Sequence, residues 1–135
     1  MTREHIDMVR RAWEAFGESR DTDAAFDVGF AENCVLEDFP ELPDSATYVG
    51  RDGLRERTRH FVDGWGQVAF DPIEFVDAGN DVVVVVVALT GHGEGSGAPL
   101  DTAISFVYDL RDGRIVRDRP FTSRSEALEA AGLRE

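Results

Sequence analysis

Apolar residues concentrate between Val68 and Phe121, and their spacing predicts strands. Val82 to Val87 are six consecutive valines. Valine is stiff at χ1 and fits a pleated surface, so this run predicts a strand buried on both faces. Ala78-Gly79-Asn80-Asp81 bounds it on one side and the glycine-rich stretch from Gly91 to Gly97 on the other. An earlier strand spans Gln67 to Val76. Its apolar parity flips at Pro72, which places a bulge or a sheet edge there, because proline cannot donate to a ladder. Two further strands, Leu100–Leu110 and Arg114–Phe121, are joined by Arg111-Asp112-Gly113, a short hairpin connection. These strands predict an antiparallel meander, one face of which the rest of the chain should cover.

Before the meander the period changes. Ile6, Val9, Trp13 and Phe16 fall on one face of a helix that Thr2 can cap and Gly17 ends. Asp21 or Thr22 caps a short second helix with Ala25, Phe26 and Phe30. Val35 to Phe39 is extended and stops at Pro40, and a polar loop leads to Tyr48. A third helix runs from about Asp52 to Trp65, with Leu54, Phe61, Val62 and Trp65 as its apolar stripe and Arg51, Arg55, Glu56 and Arg59 as its exposed face. Ser123-Arg124-Ser125-Glu126 is a capping box opening a last short helix that Gly132 closes. Helices segregated from an antiparallel sheet make an α+β fold, with residues 1–135 as one domain. Three N-terminal helices packed on a strongly bent antiparallel sheet would form a cone with an apolar pocket at its open end.

Charge narrows the chemistry. The net charge of −13 argues against nucleic acid, which needs concentrated positive charge. All 14 basic residues are arginine, so lysine Schiff-base chemistry and a phosphate-binding P-loop lysine are excluded. Three histidines, one cysteine and no HExxH, CxxC or EF-hand spacing lead us to expect no metal and no cofactor. Cys34 is expected to be a small buried apolar residue. No apolar run approaches a membrane span and no signal-peptide core opens the chain, so no membrane contact and a cytoplasmic location are expected.

Several segments together resemble the NTF2-like superfamily, and within it the SnoaL-like proteins. They are the Trp13…Phe16 helix, Phe30-Ala31-Glu32-Asn33-Cys34-Val35-Leu36-Glu37-Asp38, Tyr48-Val49-Gly50-Arg51-Asp52-Gly53-Leu54-Arg55, Gly95-Ser96-Gly97-Ala98-Pro99-Leu100-Asp101, Asp112-Gly113-Arg114-Ile115-Val116-Arg117 and Glu126 to Leu133. The resemblance implies a cone-shaped α+β barrel, frequent dimers, and a pocket used for isomerisation, aldol cyclisation, epoxide hydrolysis, hydroxylation or plain binding. Glu37-Asp38-Phe39-Pro40 is similar to the ketosteroid isomerase strand that carries the general base, with Asp38 on that base. By the same likeness Trp13 takes the position of the oxyanion-hole tyrosine and Ser105 that of the protonated aspartate. Polyketide cyclases and limonene-type epoxide hydrolases use a carboxylate on the last strand. Arg119 is the match here, with Asp118 one residue off and expected to point to the other face.

The candidate catalytic residues are therefore Asp38 and Arg119, and the candidate ligand-binding residues are Trp13, Phe16, Phe61, Trp65, Asp101 and Ser105. Asp38 serves either as an inward base, its carboxyl raised by desolvation, or as a cap on the turn before Pro40. Arg117 and Arg119 share a face with Ile115 and Phe121, and Asp38 or Asp101 could partner an inward arginine. On the Leu100–Leu110 strand the small odd positions, Ala103 and Ser105, leave room for a cavity. The large even positions, Ile104, Phe106 and Tyr108, would then need covering from outside, which predicts a homodimer. The expected ligand is a small hydrophobic organic molecule. The expected chemistry, if any, is cofactor-free acid–base catalysis of the isomerase, cyclase or epoxide hydrolase type. The alternative is a non-catalytic ligand-binding or dimerisation module.

Overall fold

A computed structural model of the chain describes residues 2–17, 19–42, 45–65, 67–92 and 99–133. The elements follow as α1 (Thr2–Phe16), α2 (Thr22–Gly29), β1 (Phe30–Glu37), β2 (Thr47–Val49), α3 (Gly50–Trp65), β3 (Gln67–Gly79), β4 (Val82–His92), β5 (Pro99–Arg111), β6 (Arg114–Phe121) and α4 (Arg124–Ala130). Local signals set most of these boundaries. The Asp21 carboxylate accepts the Ala24 amide and starts α2. The Ser123 hydroxyl accepts the Glu126 amide and starts α4. Asn80 and Asp81, at φ 52° and 62°, turn β3 into β4. Asp112 and Gly113, at φ 54° and 77°, turn β5 into β6, so both tight turns have the left-handed backbone conformation that matches the right-handed twist of hairpin strands.

The strands form one sheet in the order β2-β1-β6-β5-β4-β3. β3 to β6 are the expected antiparallel meander. Pro72 lies at a register shift on β3, the edge strand, so the bulge and the edge read from its sequence coincide. The sheet as a whole corrects the expectation in three ways. β1 runs parallel to β6, so the sheet is mixed. Only two helices precede the first strand, and α3 lies between β2 and β3. The sheet ends in two unjoined edges and is neither closed nor strongly curled, so it is no barrel. A strand pairing between residues near 35 and near 118 leaves no mark in local periodicity, which is why a pattern of hydrophobic positions could not supply it.

The valine run is buried on both faces, with Val83 to Val87 each at most 6% exposed. Val83, Val85 and Val87 face α1, α2 and α3 with Ile104, Phe106 and Tyr108 of β5. Val84 and Val107 face the other way, against Ala127 and Leu128 of α4. The tail therefore covers the opposite face from the N-terminal helices, not the same one. The large even positions of β5 are the inner wall, covered by helices of the same chain, and so give no reason for self-association. No helix among the described residues is long and apolar enough to cross a membrane.

Gly50 joins β2 to α3 at φ +70°, and a Cβ there would stand 3.0 Å from the Glu32 carbonyl oxygen. Gly50→Ala should combine left-handed strain with this close contact and cost about 1–3 kcal/mol, read as a lower denaturant midpoint at unchanged slope. A midpoint equal to the wild type's would mean that the β2–α3 junction is not fixed by this glycine.

Candidate functional site

Three helices and the sheet enclose a small cavity on the inner sheet face. α1 contributes Val9, Trp13 and Phe16, α2 contributes Ala25, α3 contributes Arg57, Thr58 and Phe61, and the sheet contributes Phe106, Tyr108 and Asp118. The void measures about 50 Å³. Its walls are mostly aromatic. Trp13 packs on Phe16 and on Phe106 at 5.6 Å between ring centres, and Phe16 meets Phe70 edge-on at 5.7 Å.

Into this apolar setting the chain places one ion pair. Arg57 donates through Nη2 to Asp118 Oδ2 at 2.8 Å, and the side chains are 4% and 1% exposed. A second guanidinium nitrogen donates to the Glu37 carbonyl at 3.3 Å. The guanidinium lies 5.4 Å from the Phe61 ring centre and 5.7 Å from that of Phe106, so two faces rich in π electrons help to hold its charge. Burial pushes the Asp118 carboxyl up, and the Arg57 charge opposes this without cancelling it. Arg57 itself stays charged: burial pulls its guanidinium down, but the charge and hydrogen bond of Asp118, helped by Tyr108 and Asp38, together leave it raised. Asp118 Oδ1 and Arg57 Nε are both buried without a hydrogen-bond partner among the described residues. A buried carboxylate oxygen left open is costly, and here it belongs to a residue that lines a cavity.

Tyr108 is the cross-strand neighbour of Asp118. Burial, with the Asp118 charge adding to it, pushes its hydroxyl well above the ordinary tyrosine value, so the group remains a donor at any physiological pH. The Trp13 indole N–H interacts with the same hydroxyl. The cavity thus brings a carboxylate acceptor, Asp118 Oδ1, near a neutral donor, Tyr108, with Thr58 also on the wall and an arginine fixing the carboxylate from behind.

Of the residues expected to share this cavity, Trp13, Phe16 and Phe61 do. Trp65 and Asp101 have side chains outside the described residues. Ser105 is buried but shares its sheet face with Val107, opposite Phe106 and Tyr108. Arg119 is on that outer face as well and donates to Asp109 Oδ1 at 3.5 Å, so the expected Asp38–Arg119 pair does not form. Asp38 lies off the cavity wall. Its amide donates to the Ala46 carbonyl at 3.2 Å and its Oδ2 accepts the Ala46 amide at 3.1 Å, closing the turn that follows β1.

The exchange of Arg119 for Asp118 has a local cause. Strict alternation from Ile115 puts Arg117 and Arg119 inside. The β5–β6 ladder instead shifts between Asp109↔Arg117 and Leu110↔Ile115, which makes Val116 an extra residue. Ile115 and Asp118 then both face inward, at 1% and 0% exposure. Arg57 was legible and passed over. It follows Leu54 by three positions and precedes Phe61 by four, which puts a charge in the middle of the apolar stripe of α3.

A model of the SnoaL-like domain matches residues 6–118. No curated protein matches the chain. Among solved structures, TerC co-crystallised with polyporic acid is 20% identical, covers 96% of this chain and 98% of its own, and superimposes with a TM-score of 0.73. An NTF2-like protein of Burkholderia pseudomallei K96243 is 19% identical over 93% of this chain and 95% of its own, with a TM-score of 0.72. A protein with a ketosteroid isomerase-like fold from Catenulispora acidiphila DSM 44928, solved with trimethylamine, is 22% identical over 93% and 92%, with a TM-score of 0.67. At these identities the structures speak for the fold alone, while the domain match spans most of the sequence: the chain belongs to the SnoaL-like family.

Proposed function

We propose that the protein binds a small neutral organic molecule against Asp118 and catalyses a cofactor-free proton transfer on it, of the kind an isomerase or cyclase performs on a carbonyl compound. The observation that carries this reading is the open Oδ1 of a fully buried carboxylate at a cavity wall. The Arg57–Asp118 pair is neutral as a whole, so a neutral ligand suits it better than an ion. In the proposed step Oδ1 takes a proton from the carbon next to a carbonyl. The electron pair moves to the carbonyl oxygen, where the Tyr108 O–H donates to it, and Asp118 returns the proton at the same or a conjugated carbon. A carboxyl raised by burial is a better base for this purpose than an ordinary one. That TerC was crystallised with polyporic acid and the Catenulispora protein with trimethylamine supports small-molecule binding on this fold.

The test is wash-in of deuterium from D2O into a panel of neutral ketones and β-dicarbonyl compounds, followed by NMR. Asp118→Asn should slow wash-in by roughly 10²–10⁴-fold for any compound the wild type accelerates, and Tyr108→Phe by a smaller factor. Equal rates in wild type and Asp118→Asn would overturn the reading. The wild-type rate should climb with pH as Asp118 loses its proton, with a midpoint above the ordinary carboxylate range because its carboxyl is raised.

The same shift sets a stability trend. A group whose folded pKa lies above its unfolded value contributes stability below the unfolded pKa and loses it as pH rises through the folded one. Asp118 should therefore make the protein less stable across that acid window, against the trend set by Glu74, whose carboxyl is lowered by Arg124. Arg57→Met strands a buried carboxylate and should cost about 3–5 kcal/mol at neutral pH. Adding Asp118→Leu should restore the loss and carry stability up to about 4 kcal/mol beyond wild type, with all wash-in gone. Urea unfolding of the three proteins decides this, and a double variant no more stable than the single one would count against a pair retained for chemistry.

A further inference from the structure

We infer that the ligand site extends from Asp118 along the inner sheet face into a second cavity, so that the molecule bound is elongated, with a polar head at Asp118 and an apolar tail. The inference rests on the reading of Asp118 as the head-group site and adds the rest of the ligand to it. Volume is the first argument. The void at Asp118, about 50 Å³, is far below the roughly 150 Å³ of a cavity that takes up benzene, so it admits a hydroxyl or carbonyl head while even a single ring attached to that head must reach past the void. A second, more open cavity of about 420 Å³ lies between Phe39, Glu41 and Leu42, Leu89, the β5 residues Thr102 to Ile104, and Thr122. That volume falls in the range of roughly 300–1,000 Å³ typical of ligand sites.

Position is the second argument. Tyr108 pairs with Asp118 and Phe106 with Pro120 across β5 and β6. Ile104 and Thr102 continue the inward parity of Tyr108 and Phe106, so the strand leads from the ion pair to the second cavity. Phe70 of the first cavity is the cross-strand partner of Leu89 in the second. Phe61 of the first touches Phe39 of the second at 5.3 Å between ring centres, tilted by 34°. These two rings form the partition. The backbone of Phe39 is tied down, its carbonyl accepting the Leu42 amide at 3.1 Å and the Ser45 hydroxyl at 3.4 Å. The partition therefore yields by rotation of the Phe39 ring and not by movement of the chain. From Thr102 to Tyr108 the strand spans roughly 20 Å, which sets the length of molecule that fits. Glu41, bonded to Thr122 at 2.7 Å on the rim, together with a net charge of −13, disfavours an anionic tail.

Phenol and 4-hexylphenol serve as probes, with affinities taken by titration calorimetry. The hydroxyl of each can donate to Asp118 Oδ1, and only the second has a tail. In the wild type the hexyl compound should bind tighter by about three- to fourfold per buried methylene. Thr102→Trp fills the second cavity from its exposed rim and should lower the ratio of the two affinities by tenfold or more. Phe39→Leu thins the partition with an apolar side chain and should raise the ratio. A ratio that is the same in wild type, Thr102→Trp and Phe39→Leu overturns the extended site, as does failure of the wild type to bind either phenol. Asp118→Asn separates the two readings. If it weakens both phenols while the ratio still responds to Thr102→Trp, both hold. If it binds both phenols as tightly as wild type and the ratio still responds, the channel stands and the role of Asp118 falls.

Discussion

The contact between Arg57 and Asp118 governs how the inner face of this protein is organised. It ties α3 to β6 through two residues 61 positions apart, at a place where the side chains are 4% and 1% exposed. Taking two charges out of water costs several kcal/mol per ion, and only close geometry offsets it. The surroundings supply part of that geometry. Phe61 and Phe106 flank the guanidinium, and the Glu37 carbonyl takes a second hydrogen bond from it. What they leave out is as informative, since one carboxylate oxygen and one guanidinium nitrogen have no partner among the described residues. A pair selected for stability alone would satisfy both.

The scaffold around this pair was readable wherever the signal is local. The valine strand, the bulge at Pro72, the Asp21 and Ser123 caps and the hairpin at Asp112-Gly113 each follow from the conformational preferences of a few neighbouring residues. Trp13, Phe16 and Phe61 were readable as cavity wall because helical period alone puts them on the inward faces of α1 and α3. Cys34 was readable as a buried apolar residue for a similar reason. What failed was everything that depends on which side of the sheet is inside. Both faces of β5 have a consistent parity, and size suggested that the small face should border the void. The helices cover the large face instead, and α4 covers the small one. A cavity of this size is bounded by large rings that leave a gap, not by small residues that make room.

One inserted residue, Val116, accounts for the rest of the difference at the site. A side-chain period of two makes every strand assignment hostage to a single bulge. With the bulge, the arginines of β6 face outward, where Arg117 meets Glu37 and Arg119 meets Asp109, and the aspartate between them faces in. A counted alternation gives the opposite answer with equal consistency. The charge on the apolar stripe of α3 was the independent clue, because a buried Arg57 demands a buried acid, and Asp118 is the only acidic residue of β6.

The cost of the pair and its proposed use are linked. An apolar pair of similar volume would fill the same space without stranding any polar atom, and buried ion pairs replaced in that way are often neutral or stabilising. The apolar walls that make Asp118 expensive also raise its carboxyl and keep Tyr108 protonated. Moving either residue to a wetter position would relieve the fold and remove the difference in proton affinity between them. Local rules are broken here in three ways at once: a charge on a helix's apolar stripe, a bulge in a ladder and an open acceptor in a dry wall. All three meet at one carboxylate. Three departures from local consistency that converge on one carboxylate are what the proposed function would require of the fold there.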